Sequence, residues 1–381
     1  MPGSIAKRAN GKWRARYRDD QGLEHSRHFD RKFDAQRWID EVTTSVISGT
    51  YVYPKAGGVT FAAFYADWSG RQIWVRSTRV NADHAIRTVP FADLPLNAIR
   101  RSHVESWVKA MNADLAPTTI KTRYVIIRSV FRAAVLDRVI VTDPSVGVTL
   151  PRRRRADAAM TVPTAEQVGR LLQHADSNRV STRKGFRTYV ALCAFAGLRL
   201  GEAAGVQVGD IDFLKRQLNL SRQIQREGDS YIVRAPKYGS ERAVYLPDEL
   251  VDILADHVRL HLDPDPRPDQ WLFTVKGEPM YDNAVAWRWR ATRTAAGLEQ
   301  VRLHDLRHFY ASGLIADGCD VVTVQRSLGH ATATTTLNTY SHLWPTAEDR
   351  TRIAASHLAQ AALAELDATA ALTGGNERER S

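Results

Sequence analysis

From Ser4 to Phe29 apolar and charged positions alternate along the chain. Trp13, Ala15 and Tyr17 are interleaved with Arg14, Arg16 and Arg18, and a period of two sends the apolar set to one face of a strand and the arginines to the other. Asn10-Gly11 and the cluster Asp19-Asp20-Gln21-Gly22 are turn signals on either side, so the stretch reads as three short antiparallel strands. The period then lengthens. Asp34 is placed to cap a helix that carries Trp38, Ile39, Val42 and Val46 on its buried side. Tyr53-Pro54-Lys55-Ala56-Gly57-Gly58 follows and reads as a linker.

From Thr60 to Ile140 the pattern is helical. Phe61, Phe64, Tyr65 and Trp68 make one stripe, and Val104, Trp107, Val108 and Met111 another. Pro117 opens a long segment in which Ile120, Tyr124, Ile127, Val130, Phe131 and Ala134 recur at spacings of three and four. Four or five such helices make a compact all-α domain whose aromatic stripes are core rather than base-stacking surface. Lys121, Arg123, Arg128 and Arg132 share the exposed part of the last helix, where they could meet phosphates. Pro151-Arg152-Arg153-Arg154-Arg155 marks the next boundary. Four consecutive arginines cannot share a core, so they are a solvated linker or a strap on a phosphate backbone, with a localisation signal as a weaker third reading.

The largest domain begins near Thr161. Thr164 and Gln167 are spaced for a capping box on a helix through Leu171 and Leu172, and Tyr189 to Ala196 is a second, apolar helix. Leu218 to Gln225, Tyr231 to Arg234 and Ala243 to Leu246 read as strands. After the loop from Asp263 to Pro268 the helical pattern returns. The expected organisation is multidomain: a small sheet-plus-helix module over 1–55, an all-α domain over 59–150, a mainly α (α+β) domain over 160–370, and a disordered tail over 371–381.

Composition narrows the class of partner. The 381 residues are 44% hydrophobic, enough for each domain to bury a core, and the formal charge of +11 produces a field that attracts polyanions. Cys193 and Cys319 are the only cysteines, so a disulfide framework is not expected and a reducing cytosol suits the chain. The N-terminus lacks an apolar signal region, and no run approaches the roughly 18 apolar residues of a membrane span. No membrane association is expected. The basic N-terminal strands, preceded by Lys7, Arg8 and Lys12 without an acid, are read as entering a DNA groove rather than as a merely solvated face.

A second set of residues suggests what is done to such a polyanion. Displacement at a phosphodiester needs its anionic oxygens held, a nucleophile in line, and a proton for the departing alkoxide. Arg199 lies in Ala196 to Val206 (AGLRLGEAAGV), where one helix ends and another begins, with Glu202 three residues on to orient it. Lys237 sits between two strands, where a hairpin loop can push a titratable ammonium into a cleft. His304 and Arg307 are three apart on a helix and share a face, and Gly329 lets His330 approach a ligand closely. Tyr340, ten residues after His330, is the candidate nucleophile. Its ordinary pKa near 10 leaves it neutral at pH 7, so it needs a proton acceptor, and His304 is the candidate.

These boxes, His304-Asp305-Leu306-Arg307-His308, Leu328-Gly329-His330 and Asn338-Thr339-Tyr340-Ser341-His342, together with the Arg199 segment, resemble the tyrosine recombinase (phage integrase) family. Ser240, Arg242, Val244 and Leu246-Pro247 fit the pattern around that family's lysine. The resemblance implies six catalytic positions, Arg199, Lys237, His304, Arg307, His330 and Tyr340, with Glu202 in support. It also implies an arm-binding module that would use Lys12, Arg14, Arg16 and Arg18, a helical core-binding (SAM-like) domain, and a clamp of two domains around double-stranded DNA. The expected activity is site-specific recombination through a 3'-phosphotyrosyl link, without cofactor, metal or ATP, by a homotetramer on paired attachment sites. A host DNA-bending protein and an excision factor are further partners of such elements, whether of a phage or of another integrative element. The apolar positions Ile353, Leu358 and Leu363 would let 346–366 pack on a neighbouring protomer or on its own domain.

Three rivals fit less. Two histidines at i and i+4 occur on zinc helices, but Arg307 sits between His304 and His308, and Asp305 is shorter than the glutamate that motif needs. A non-catalytic DNA-binding accessory or regulatory protein explains the charge but not six phosphate-directed residues. A type IB topoisomerase uses related chemistry without a separate arm-binding module.

Overall fold

The structure, a computed structural model, describes residues 3–18, 22–47, 51–53, 55–152, 160, 162–176, 185–228, 230–344 and 351–364. The chain divides into two compact units, Met1–Ala159 and Met160–Ser381.

The first unit opens with strands β1 (Ser4–Lys7), β2 (Trp13–Arg18) and β3 (Glu24–Phe29), antiparallel in the order β1-β2-β3. The alternation of the sequence holds, since Ala15 and Tyr17 are buried while Arg16 and Arg18 face solvent. Arg14 is half-buried, and Glu24 lies 3.6 Å from it and 3.8 Å from Arg16, so β3 partly neutralises the basic face. Helix α1 (Lys32–Ile47) covers the other face through Ala35 and Ile39. It begins two residues before Asp34, which therefore lies within the first turn, where its charge still complements the helix dipole.

Four helices follow, α2 (Phe61–Gly70), α3 (Arg76–Arg87), α4 (Arg101–Asp114) and α5 (Pro117–Leu136), and the stripes read from the sequence form their shared core around Phe61, Phe91, Trp107 and Phe131. Thr60 accepts from the Ala63 amide to cap α2, and Pro117 starts α5 with its φ already helical. The expected linker is more ordered than its composition suggests. Ala56–Gly58 forms a short 3-10 turn with Gly57 buried, while Pro54 lies outside the described residues. Lys121, Arg128 and Arg132 are exposed on α5, but Arg123 is half-buried and bonded to His84. Arg152 is exposed; Arg153, Arg154 and Arg155 lie outside the described residues, as does the 371–381 tail.

The second unit is built on α7 (Phe186–Phe195), a helix buried nearly all round, against which α6 (Ala165–His174), α9 (Asp248–His261) and α11 (Leu303–Ala316) pack. The Thr164–Gln167 capping box on α6 forms in both directions, at 3.2 and 3.0 Å. Between α8 (Leu200–Ala204) and α9 come β4 (Ile211–Asp212), β5 (Gln217–Leu220), β6 (Gln223–Glu227), β7 (Ser230–Arg234) and β8 (Arg242–Tyr245). The single strand expected from Leu218 to Gln225 is two: β5 joins the sheet β4-β5-β8, whereas β6 pairs with β7. The break falls at Ser221-Arg222, where Arg222 turns to pair with Asp210. A hairpin too short for its pattern to register, β9 (Thr274–Val275) and β10 (Glu278–Pro279), precedes α10 (Asn283–Ala295). The unit continues with α12 (Val321–Leu328) and α13 (Ala333–Tyr340). Residues 351–364 are helical and exposed throughout, with Ile353, Leu358 and Leu363 in solvent. Among the described residues no helix is long and apolar enough to cross a membrane.

Candidate functional site

Arg199 occupies the N-cap of α8, and its extended backbone lets the carboxylate of Glu202 accept from its own amide at 3.0 Å and from its guanidinium at 2.6 Å. Glu202 is 1% exposed, a position where an unpaired carboxylate would be intolerable. Its opposite side is closed by Arg242 of β8, which donates from Nη1 and Nη2 at 3.2 and 2.9 Å. Burial by itself would raise the Glu202 pKa. The Arg242 hydrogen bonds and charge, then the Arg199 charge and amide, outweigh it and hold the group down to about 2.

The same two guanidiniums tie distant segments together. Arg242 donates to the carbonyls of Ser327 at 2.9 Å and Ser240 at 3.2 Å, and Arg199 Nη2 donates to the Gly329 carbonyl at 3.1 Å. Gly329 ends α12 at φ 62°, and a Cβ there would stand 2.6 Å from Arg242 Nη1. Glycine is required by backbone and neighbour alike.

Arg307, on the buried face of α11, is 2% exposed and spends two of its five N–H donors on the carbonyls of Gly197 and Leu328. Burial first, and then the like charge of Arg199, lower its pKa to about 9, so it remains cationic at pH 7. His330 follows the glycine turn, with Nδ1 2.9 Å from Thr336 Oγ1. Burial and the Arg307, Arg199 and Arg242 charges bring its pKa down to about 4, which leaves the ring neutral at pH 7.

Tyr340 ends α13 and is 1% exposed, its ring nearly parallel to that of His330 with centroids 6.5 Å apart. Burial raises its pKa to about 12, against the opposing pull of Arg307 and Arg199. Its hydroxyl meets the Nδ1 of His308 at 2.8 Å. His304, the ring expected to take the tyrosine proton, is exposed one helical turn away and packs edge-on against His308 at 4.9 Å, and it is His308 whose ring meets the phenol. Partial burial and the neighbouring His308 and Arg307 charges lower the His304 pKa. Lys237 is exposed on the short turn Lys237–Gly239, and no hydrogen bond joins it to a described residue. Its loop is anchored on both sides of it, by the Ala235 carbonyl that accepts from Gln223 at 2.9 Å and by Ser240.

The structure thus brings Arg199, Glu202, Arg307, His330 and Tyr340 into one cluster, sets His304 at its edge, and leaves Lys237 on an exposed loop. Two members escaped the sequence reading of the chemistry. Arg242 shares the inward face of β8 with Val244, a period-two signal that could have marked it as buried, and His308 lies one helical turn from His304. Within the cluster three guanidiniums, of Arg199, Arg242 and Arg307, face one carboxylate, Glu202, a surplus of two positive charges in a poorly solvated place. An anion with several acceptor oxygens would satisfy both the charge and the remaining donors. A groove of about 720 Å³ bounded by Ser240, Arg242, Tyr310, Gln325 and His330 runs alongside.

Residues 162–346 match the phage integrase family and residues 1–48 the phage integrase N-terminal domain. Over 360 residues the chain is 26% identical to a Mycobacterium tuberculosis (strain ATCC 25618 / H37Rv) protein designated prophage phiRv2 integrase, spanning 89% of this chain and 91% of that one. A tyrosine recombinase of Thermosipho africanus is 27% identical over 256 residues, 65% of this chain and 82% of its own length. The Tn1549 transposon integrase, solved in complex with a circular intermediate DNA, aligns at TM-score 0.65 and 20% identity over 78% of this chain and 99% of that one. A lambda integrase tetramer bound to a Holliday junction aligns at 0.54 and 18% over 88% and 97%. At such identities the likeness establishes the fold. The matches at the N-terminus and across the unit that holds the arginine cluster agree with the relatives: the chain belongs to the phage integrase family of tyrosine recombinases.

Proposed function

We propose that Tyr340 attacks a DNA phosphodiester seated on Arg199, Arg307 and His330, and that the resulting 3'-phosphotyrosyl bond is then attacked by the 5'-hydroxyl of a second strand. The observation that carries this reading is the surplus positive charge packed around a single buried tyrosine. The guanidiniums stabilise the charge that develops on the pentacovalent phosphorus, and because both are held by backbone carbonyls they need no reorganisation when it appears. His304, at the edge of the cluster, donates to a phosphate oxygen. Each cleavage stores the bond energy that rejoining uses, which requires neither ATP nor hydrolysis. That supports recombination between attachment sites, with double-stranded DNA as the partner and a tetramer, like that of lambda integrase, as the working assembly.

The reading is tested by incubating the full chain, in chelator, with a nicked duplex carrying the attachment DNA that flanks its coding sequence. A covalent adduct on a denaturing gel supports it. Tight binding without an adduct would favour a non-catalytic accessory protein.

Lys237, exposed and carrying a titratable proton, is assigned to the departing 5'-oxygen. The Lys237→Ala variant should form adduct roughly 10²–10⁴-fold more slowly, the usual range for a lost general acid. A substrate with sulfur at the bridging 5' position leaves as a thiolate and should restore most of that rate, because a thiolate needs no proton. In the N-terminal module, Arg16 and Arg18 point to solvent from β2. Removing both should weaken arm-site binding similarly for all sequences and flatten log K against log salt by about 0.9 per arginine, read by titration at several salt concentrations.

A further inference from the structure

Deprotonation of a phenol whose pKa is raised to about 12 is the step for which none of the six expected residues is placed. The acceptor must touch the hydroxyl and must not already be committed. Glu202 is occupied by Arg199 and Arg242, and Asp305 by Arg302. His330 presents its ring face to the phenol and gives Nδ1 to Thr336. His304 packs against the ring of His308, and it is His308 that hydrogen-bonds the phenol.

Resting on the recombinase reading above, we propose that His308 is the general base of the cleavage step, its Nδ1 taking the Tyr340 hydroxyl proton as the phenol oxygen bonds to phosphorus. The O–H bond breaks as the O–P bond forms. The P–O5' bond breaks with a proton delivered from Lys237; on rejoining, the attacking 5'-hydroxyl gives its proton to the Lys237 amine as the imidazolium of His308 returns its own to Tyr340. Nothing else is consumed.

The geometry is the 2.8 Å contact between Nδ1 and the hydroxyl, on a ring that α11 holds and that is only half-buried. The charged and titratable groups around it are Asp305, His304 and Arg307 on its own helix, Arg302 at that helix's N-cap, and Arg199 near the phenol. Burial first, with Arg302 and Arg307, lowers the His308 pKa against the opposing pull of Asp305. The ring is therefore neutral at pH 7 and able to accept. Full transfer before attack is uphill, so the proton moves together with bond formation.

The test measures single-turnover adduct formation from pH 6 to 9.5 on the nicked, 5'-sulfur-bridged duplex, which removes the Lys237 step. His308→Ala should be slower by roughly 10²–10⁴-fold near pH 7, and its rate should climb with pH as phenolate forms unaided. Added imidazole should restore part of the rate. His304→Ala, which loses a contact to the phosphate, should be slower by one factor at every pH and so lack the climb toward high pH that marks His308→Ala. The idea is overturned by a His308→Ala variant at the wild-type rate, or by one slowed equally at every pH and indifferent to imidazole. If His308→Ala fails to fold, judged by melting and DNA binding, His308→Gln replaces it: its amide oxygen accepts a hydrogen bond but not a proton, and wild-type activity there would equally sink the proposal. Absence of an adduct from the unmodified protein would instead strike the recombinase reading itself.

Discussion

The Tyr340→Phe variant is expected to fold and bind attachment DNA like the unmodified protein and to form no covalent adduct at any pH. The substitution keeps the ring, and the ring is what packs: Tyr340 is 1% exposed and shares a small core with Ala311, Ile315, Val324 and Leu328. What goes is the hydroxyl and its bond to His308, worth about 1 kcal/mol, because the half-buried imidazole can turn to water instead. Chemistry and stability are therefore separable at this position. Tyr340→Ala would confound them, since emptying so buried a site costs roughly 3–5 kcal/mol. Denaturing gels after incubation with the nicked duplex, beside melting curves and a binding titration, make the check. An adduct in the Phe variant would mean that another residue is the nucleophile.

The Glu202→Ala variant should lose the most stability of any single charge removal in the cluster. Glu202 is the one carboxylate among the three guanidiniums, and removing it leaves Arg242, whose side chain is only 7% exposed, facing Arg199 with no counter-charge. Breaking a buried pair in this way costs about 3–5 kcal/mol. For a unit of this size that lowers Tm by roughly 10 °C. Glu202→Gln keeps the shape and separates charge from packing. The pH dependence follows from the depressed pKa. The contribution of Glu202 is fully present above its ordinary value near 4.5 and is lost as pH falls toward about 2, so unmodified protein should lose stability across that window while the Ala variant has little of this contribution left to lose. Melting curves at pH 5 and pH 3 decide it. Activity should fall further than stability does, since Glu202 also orients Arg199.

The chemistry was legible because it is local. Arg199 with Glu202 and His304 with Arg307 lie within one helical turn or cap of each other, and Gly329 directly precedes His330, so spacing alone put each pair close together. The stripes of α2, α4 and α5 and the alternation in β2 were legible for the same reason: burial of one face imposes a period that the sequence must carry. The short elements were not. The single strand expected from Leu218 to Gln225 is divided because Arg222 pairs with Asp210, and a hairpin of two-residue strands carries no period at all.

What the sequence determined by itself was therefore the family, the helical core of the first unit and the candidate nucleophile with its arginines. What only the tertiary structure decided was who touches whom: that Arg242 closes the far side of Glu202, that His308 rather than His304 meets the phenol, and that Tyr340 is buried. Those contacts join residues from 32 to 40 positions apart in the chain, and no local spacing encodes them. They exist because α7, α8, β8, α11, α12 and α13 pack around one cluster, and buried charge there tolerates only the partners that complete each other's hydrogen bonds.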